Sequence, residues 1–462
     1  MPTRKQLILL VIVAITVMLI SAPLYLFKKR SSLYPYEVSR DYKYEFRGTE
    51  AQITELRLIN AKVNVANRGN TNQTAFLRVN VNSTFVGKYF QPSIEITGAT
   101  TSIVEYVEHG AKGVRYLNIS SLLSRDGGAI RLKGRHVSIN DQSVQLIVFD
   151  NHDTSHSRVL VLAPHPDDAE IAAYGLYSSN NGSYIVTVTA GDGEPNTYDE
   201  IFQDKVKGLL KKGQLRTWNS ITVPLLGGIP FEQSINLGFF DGTLELMHKD
   251  KSSAVRGLHT FTQDIATYRQ QNISSLAGGL RGKSDWISLV ENLEYLLVQI
   301  RPDIIVAPYP ALDSHRDHKF SSIALFEAIR LTGMKKGVLF LYTNHFVLTQ
   351  LYPYGAASGS VTLPPNFGSP VNFDSIYSQP LSSDHQKDKV LALESMNDLR
   401  LDTEWRSSKG AISLAIESIK RDLFGDDFSY FRRAVRSNEL FFVIEVKSIY
   451  DEQILKNIVG EL

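Results

Sequence analysis

The sequence predicts an α/β protein: a Rossmann-like domain with a mostly parallel sheet, preceded by a transmembrane helix and a β-sandwich. Three observations carry that reading. Gln6 to Phe27 is almost wholly apolar, short runs between Lys43 and Phe149 alternate apolar with polar residues, and beyond residue 157 the apolar runs become continuous with helical patterns between them. The boundaries expected are 6–27, 40–150 and 157–462, and 462 residues suit two or three domains.

The first segment has about the 20 residues that a bilayer span needs. Arg4 and Lys5 precede it, and Lys28, Lys29 and Arg30 follow. A cleaved signal peptide has a shorter apolar region and ends in small residues, whereas "ISAP" is interrupted by Pro23. An uncleaved anchor is therefore expected. Its basic flanks are nearly balanced, so charge alone does not orient it. The next segment reads like an exported β-module, which puts the bulk of the chain on the periplasmic or outer face of a bacterial inner membrane. Residues 31–42 form a linker. "AKVNVAN", "AFLRVNVNSTF", "PSIEITG", "AIRLKGRHVSI" and "SVQLIVFD" then read as half-buried antiparallel strands punctuated by Gly, Asn and Asp. Tyrosines and phenylalanines of this module could stack on sugar rings or fill its core.

After a linker at 151–156, "VLVLA", "YIVTVT", "DIIVAP", "VLFLY" and "LFFVIEV" read as buried strands. Between Asp285 and Ile300, the residues Ile287, Val290, Leu293, Leu297 and Ile300 recur at helical spacing. "KFSSIALFEAI" reads as another helix, and residues 352–370 as a long Gly/Pro/Ser-rich loop. The net charge of +1 gives no footprint for nucleic acid. With no cysteine, any metal must be held by His, Asp or Glu.

Chemistry concentrates at two strand ends. "HPDDAE" follows "VLVLA", and "PYPALDSHRDH" follows "DIIVA". Adjacent carboxylates disfavour each other's ionisation unless a cation compensates. In open parallel sheets ligands bind beyond the carboxyl ends of the strands. The two segments together offer two or three imidazoles and several carboxylates. His165, Asp168 and His318 would supply a His₂Asp set, with one position left for water on zinc; the same set suits ferrous iron. Asp167, pointing another way, could take a proton from water.

"HPDDAE" followed by a distant "HRDH" resembles the PIG-L-like (LmbE-like) zinc N-deacetylase family, over about residues 157–446. "TAGDGE" and the stretch 215–242 add to the resemblance. The family implies that His165, Asp168 and His318 bind Zn²⁺ or another divalent metal, and that Asp167 is the general base. It implies that His315 stabilises the tetrahedral intermediate or protonates the leaving amine, and that Asp317 orients a histidine. Arg216 and Asp241 are its candidate substrate contacts. The chain departs from the family pattern at three points: Tyr174-Gly175 replaces a Gly pair, Asn219 an acidic residue, and Asp313 a carbonyl-polarising tyrosine for which Tyr309 could substitute. The expected substrate is an N-acetylated saccharide or glycolipid of an envelope glycan or exopolysaccharide. The alternative is a non-catalytic glycan-binding or assembly protein that keeps the fold. His345 could approach the same crevice.

Overall fold

Alternating apolarity turns residues 52–150 into nine strands: β1 Gln52–Ile59, β2 Lys62–Val65, β3 Gln73–Ser83, β4 Ser93–Thr97, β5 Ser102–Tyr106, β6 Lys112–Asn118, β7 Gly128–Arg135, β8 Val137–Ile139 and β9 Ser143–Asp150. The computed structural model describes residues 33–66, 72–123, 127–195, 198, 201–396 and 430–461, together with Val13. Apart from Val13, the expected anchor at 6–27 lies outside the described residues. Among the described residues no helix is long and apolar enough to cross a membrane.

The nine strands form an antiparallel sheet in the order β5-β4-β7-β2-β1-β9-β3-β6, with β8 beside β3. Strands from both ends share one apolar core: Ala75, Leu77, Val79 and Val81 of β3 meet Ile94 and Ile96 of β4 and Leu132 of β7. The opposite face of β3, β6 and β9 is also covered. Phe76, Tyr116, Ile147 and Phe149 belong to the same apolar cluster as Ile376, Phe442 and the helices beyond. Burial on both faces explains why "LIVF" at the end of β9 is continuously apolar rather than alternating.

The second sheet contains β10 Val159–Ala163, β11 Ser183–Thr189, β12 Ser234–Phe239, β13 Ile304–Pro308, β14 Val338–Tyr342, β15 Ser375–Pro380 and β16 Asn438–Glu445. Its order is β12-β11-β10-β13-β14-β16-β15. The first five strands are parallel, and β16 runs antiparallel to both its neighbours. All five strands expected from continuous apolarity are present. The additional ones, β12 "SINLGF" and β15 "SIYSQP", are too polar to be read that way.

Helices cover both faces of this sheet, so alternate residues of β10 point into different cores. On one side lie α1 Asp168–Ser178 and α5 Ser383–Ser395; on the other lie α3 Trp286–Ile300 and α4 Arg316–Thr332. Between β11 and β12 runs α2 Lys205–Thr222, followed late in the chain by α6 Tyr430–Ala434 and α7 Glu452–Val459. Asp285 caps α3 by accepting from Ser288 N at 2.8 Å. The buried face of α3 departs from the expected one at its start: Ile287 is exposed and Trp286 is buried instead.

Helix α1 is broken at Ala173, whose φ/ψ is non-helical. The amides of Gly175 and Leu176 donate to the buried Glu439 carboxylate at 2.8 and 3.1 Å, and Lys389 neutralises it from 2.7 Å. Gly175 keeps a close packing point against Leu381. Tyr174, standing where the family has glycine, is buried edge-on to Tyr177. The 352–370 loop forms no long element. It packs against the β-module, where Asn118 Nδ2 donates to Val361 O at 2.9 Å and Thr362 Oγ1 donates to Tyr116 O at 2.5 Å.

Candidate active site

The strand order reverses between β10 and β13, which hydrogen-bond side by side in parallel register. A doubly covered sheet has a crevice beyond the strand ends at such a point. Both motifs leave the sheet there, since "PHPDD" follows β10 and "YPALDSHRDH" follows β13. Strand β10 ends because Pro164 and Pro166 cannot donate to a ladder. Helix α1 then starts with Asp167 at its cap position and Asp168 in its first turn, where the helix end favours negative charge. His315 occupies the position just before α4, which places Asp317 and His318 in that helix's first turn.

His165 and His318, 153 residues apart in sequence, meet with Nδ1 and Nε2 at 3.3 Å. Asp168 Oδ2 lies 3.1 Å from each of those nitrogens. The three atoms thus form a nearly equilateral triangle. A tetrahedral ion with bonds of about 2.0–2.1 Å spaces its ligand atoms about 3.3–3.4 Å apart. The donor set, two imidazoles and one carboxylate, therefore fits a small divalent cation such as zinc. All three residues are buried.

The remaining nitrogen of each imidazole faces a carboxylate. His318 Nδ1 lies 3.1 Å from Asp313 Oδ2. His165 Nε2 lies 3.3 Å from both Asp241 Oδ1 and Asp317 Oδ2. Asp317 is itself held by two backbone amides, Gly242 N at 2.6 Å and Leu244 N at 3.3 Å. Carboxylates placed so fix the tautomer and aim of a ligating histidine. His165, Asp241 and Asp317 also form a group whose ligand atoms lie within 4.8 Å. The two amides already donated to Asp317 make it better suited to accepting the imidazole N–H. Burial works against charge on His318, but Asp168 and Asp313 outweigh it and lift its pKa to about 10.

Asp167 accepts from Arg216 Nη2 at 3.0 Å. Arg216 is buried on α2 against Gly191. The structure thus places the two expected substrate contacts, Arg216 and Asp241, on Asp167 and His165. The His315 ring centroid stands 4.7 Å from that of His165 and 4.8 Å from that of His318. Burial, with His165 and His318 nearby, pushes its pKa down to about 4. His345 joins this cluster, its ring 5.1 Å from that of His318.

Tyr309 does not supply the absent electrophile. It is fully buried against Phe442, and its hydroxyl donates to Asn372 O at 2.9 Å. Asp313, which stands at the family's tyrosine position, serves His318 instead. Three residues escaped the sequence reading in these positions. Asp313 stands out in the sequence only as a departure from the family's tyrosine, and its partnership with His318 appears in the fold alone. Asn344, whose Nδ2 donates to Asp168 Oδ1 at 2.8 Å, follows β14; the sequence suggests that strand end through its neighbour His345 but assigns no role to the asparagine. Asp192 accepts Asp241 N at 2.9 Å and Thr260 Oγ1 at 2.9 Å, bracing the wall beside Asp241.

The stretch of chain that carries the site is matched by a family model. The model described as PIG-L: GlcNAc-PI de-N-acetylase matches residues 160–329, which include both motifs. Residues 160–329 carry a PIG-L domain. Among solved structures, the chain is similar to A40926 pseudoaglycone deacetylase Dbv21, at 16% identity and a TM-score of 0.33, covering 63% of this chain and 99% of that one. A deacetylase of teicoplanin biosynthesis is 15% identical with a TM-score of 0.31, covering 63% and 98%. GalB, a 4-carboxy-2-hydroxymuconate hydratase of Pseudomonas putida KT2440, is 12% identical with a TM-score of 0.34, covering 62% and 95%. Likenesses this distant say nothing about the reaction. No curated protein sequence matches the chain.

Proposed function

We propose that this protein is a metal-dependent N-deacetylase. It hydrolyses the N-acetyl group of an amino sugar in an envelope glycan, exopolysaccharide or glycolipid, and residues 6–27 hold it at a bacterial inner membrane with the PIG-L domain outside the cytoplasm. One observation carries the reading: the triangle of His165 Nδ1, Asp168 Oδ2 and His318 Nε2, with sides of 3.1–3.3 Å, beside a carboxylate that is not part of it. The matching family model is named for a de-N-acetylase of a sugar lipid, which supports the same chemistry.

A divalent ion bound by these three residues supplies Lewis acidity, polarising a carbonyl and making water more acidic. With an ion displacing the proton that His318 and Asp168 otherwise share, Asp313, Asp317 and Asp241 would accept the outer N–H of each imidazole and leave the triangle's nitrogens free to ligate. Asp167, held by Arg216, accepts the proton of the attacking water. His315 donates an N–H toward the oxyanion that develops on the acetamide; one such donor is typically worth roughly 10²–10³ in rate. Asp167 then returns its proton to the departing amine.

To test this, the full-length protein is incubated with zinc and with N-acetylglucosamine oligomers or N-acetylglucosaminyl lipids, and free acetate is measured. Zinc-dependent release that is lost in Asp167→Asn supports the proposal. Tight zinc binding without turnover on any N-acetylated sugar would sink the deacetylase assignment. A pure preparation that neither contains nor binds a divalent metal would favour the glycan-binding alternative.

A further inference from the structure

We propose that the turn Phe85–Phe90 of the β-module is a second contact with the bilayer, resting aromatic side chains in the lipid headgroup region beside the N-terminal anchor. This role requires residues 6–27 to be a membrane span, as proposed above. After β3 the chain makes a short 3-10 turn over Val86–Lys88. Phe85 is 72% exposed, Phe90 49% and Val86 42%, although the sheet behind them is closely packed. The Phe85 and Tyr89 rings meet at 5.4 Å, and those of Phe90 and His136 at 6.1 Å.

The turn is rigid. Gly87 N donates to Thr84 O at 3.0 Å, and Tyr89 N and Phe90 N both donate to Val86 O at 3.0 Å. A side chain at Gly87 would collide with the His136 carbonyl. These rings are thus presented by a fixed tip rather than a floppy loop.

Position and charge name the partner. Tyr34, near the start of the continuously described chain, accepts His109 N at 3.1 Å and faces His109 Nδ1 at 3.0 Å. The next residue, Gly110, donates to Gly87 O at 2.9 Å. The turn is therefore one residue and one hydrogen bond from the place where the N-terminal segment enters. Six residues lie between Phe27 and Tyr34, and the seven steps reach at most about 25 Å. A span ending at Phe27 puts the membrane surface within that distance. Residues 84–91 contain Lys88 and no carboxylate, and Lys28, Lys29 and Arg30 lie between the apolar segment and the turn. Aromatic rings settle at the water–lipid boundary, and basic side chains are drawn to anionic headgroups. Two attachment points prevent the β-module from swivelling about its linker.

Because the chain has no cysteine, Phe85→Cys offers a single site for an environment-sensitive dye. Phe90→Cys is the independent second variant. Leu391→Cys on the exposed side of α5 is the control. Full-length variants are placed in nanodiscs of phosphatidylcholine and phosphatidylglycerol. We expect blue-shifted emission and quenching by spin-labelled lipid at 85 and 90, with residue 391 quenched by aqueous iodide. Dyes at 85 and 90 that stay as iodide-accessible as the one at 391, in protein that remains disc-bound, would overturn the contact while leaving the anchor intact. Protection that appears only on adding an N-acetylated oligosaccharide would overturn it in favour of a glycan patch. Failure to co-purify with the discs would remove the anchor and the contact together, without touching the deacetylase reading.

Discussion

Replacing Asp317 by Asn tests whether the buried carboxylates hold the metal ligands in place. Asp317 Oδ2 lies 3.3 Å from His165 Nε2 and accepts Gly242 N at 2.6 Å, while Oδ1 accepts Leu244 N at 3.3 Å. An asparagine keeps one oxygen. With that oxygen in the Oδ2 position the Gly242 and His165 contacts persist, but as bonds to a neutral amide rather than a carboxylate, and the new NH2 opposes the Leu244 N–H. A hydrogen bond to a charged group is worth about 1.5–3 kcal/mol, or roughly 10- to 150-fold at about 1.4 kcal/mol per decade. Asp241 Oδ1 stands at the same 3.3 Å from Nε2 and takes over part of the task. The expected loss of zinc affinity is therefore at the lower end, about tenfold, rising toward a hundredfold in the double variant with Asp241→Asn. Chelator competition on the purified protein measures it. Zinc affinity unchanged in both the single and the double variant would refute the idea that these carboxylates aim His165.

Asp167→Asn should lower acetate release by roughly 10²–10⁴-fold with zinc affinity unchanged; parallel loss of the metal would place Asp167 among the ligands instead. Gly191→Ala should act at a distance from the metal. Gly191 has φ +65°, and an added Cβ would stand 2.5 Å from Arg216 Nη1. Displacing Arg216 from Asp167 should reduce kcat up to about 100-fold at unchanged zinc content, and a normal kcat would show that the pair does not position the base. Glu105 is fully buried, and burial raises its carboxyl well above the ordinary range. The folded state thus keeps a proton that the unfolded chain releases, so this group's contribution is intact at acid pH and is lost as pH rises toward the raised value. Glu105→Gln should gain on the wild type above about pH 4.5, by up to about 1.4 kcal/mol per pH unit. Denaturant midpoints across pH that stay parallel would contradict it.

The parallel sheet was legible because strands buried on both faces must be continuously apolar, and β10, β11, β13, β14 and β16 obey that rule. Strand β12 does not. Its Asn236 is satisfied inside the fold, accepting from Gly238 N at 2.8 Å and donating to Ser220 Oγ at 3.0 Å. Such a partner is invisible to hydropathy. In the β-module, β1, β5 and β6 were missed while β2, β3, β4, β7 and β9 were seen, β8 being read as the end of β7; "KGVRYLN" hides a strand because Arg115 is buried against Glu108 at 3.0 Å. At the candidate site, two clusters of ligating residue types after two strands could be read from spacing. The contribution of Asn344 could not, because it depends on β14 lying beside β13, a neighbour relation fixed only in three dimensions.

The separation of 153 positions between His165 and His318 bears on how the molecule reaches its native state. A chain still being synthesised presents the first imidazole long before the second exists, and the strands that precede them, β10 and β13, pair across the same long crossover. Closing so distant a contact is slow and comes late. A divalent ion that binds the completed triangle and not the nascent chain would act as a latch on the last step of folding, adding about 2.7 kcal/mol when free ion is a hundred times the dissociation constant. Starving cells of that ion should lower the amount of mature protein as well as its turnover.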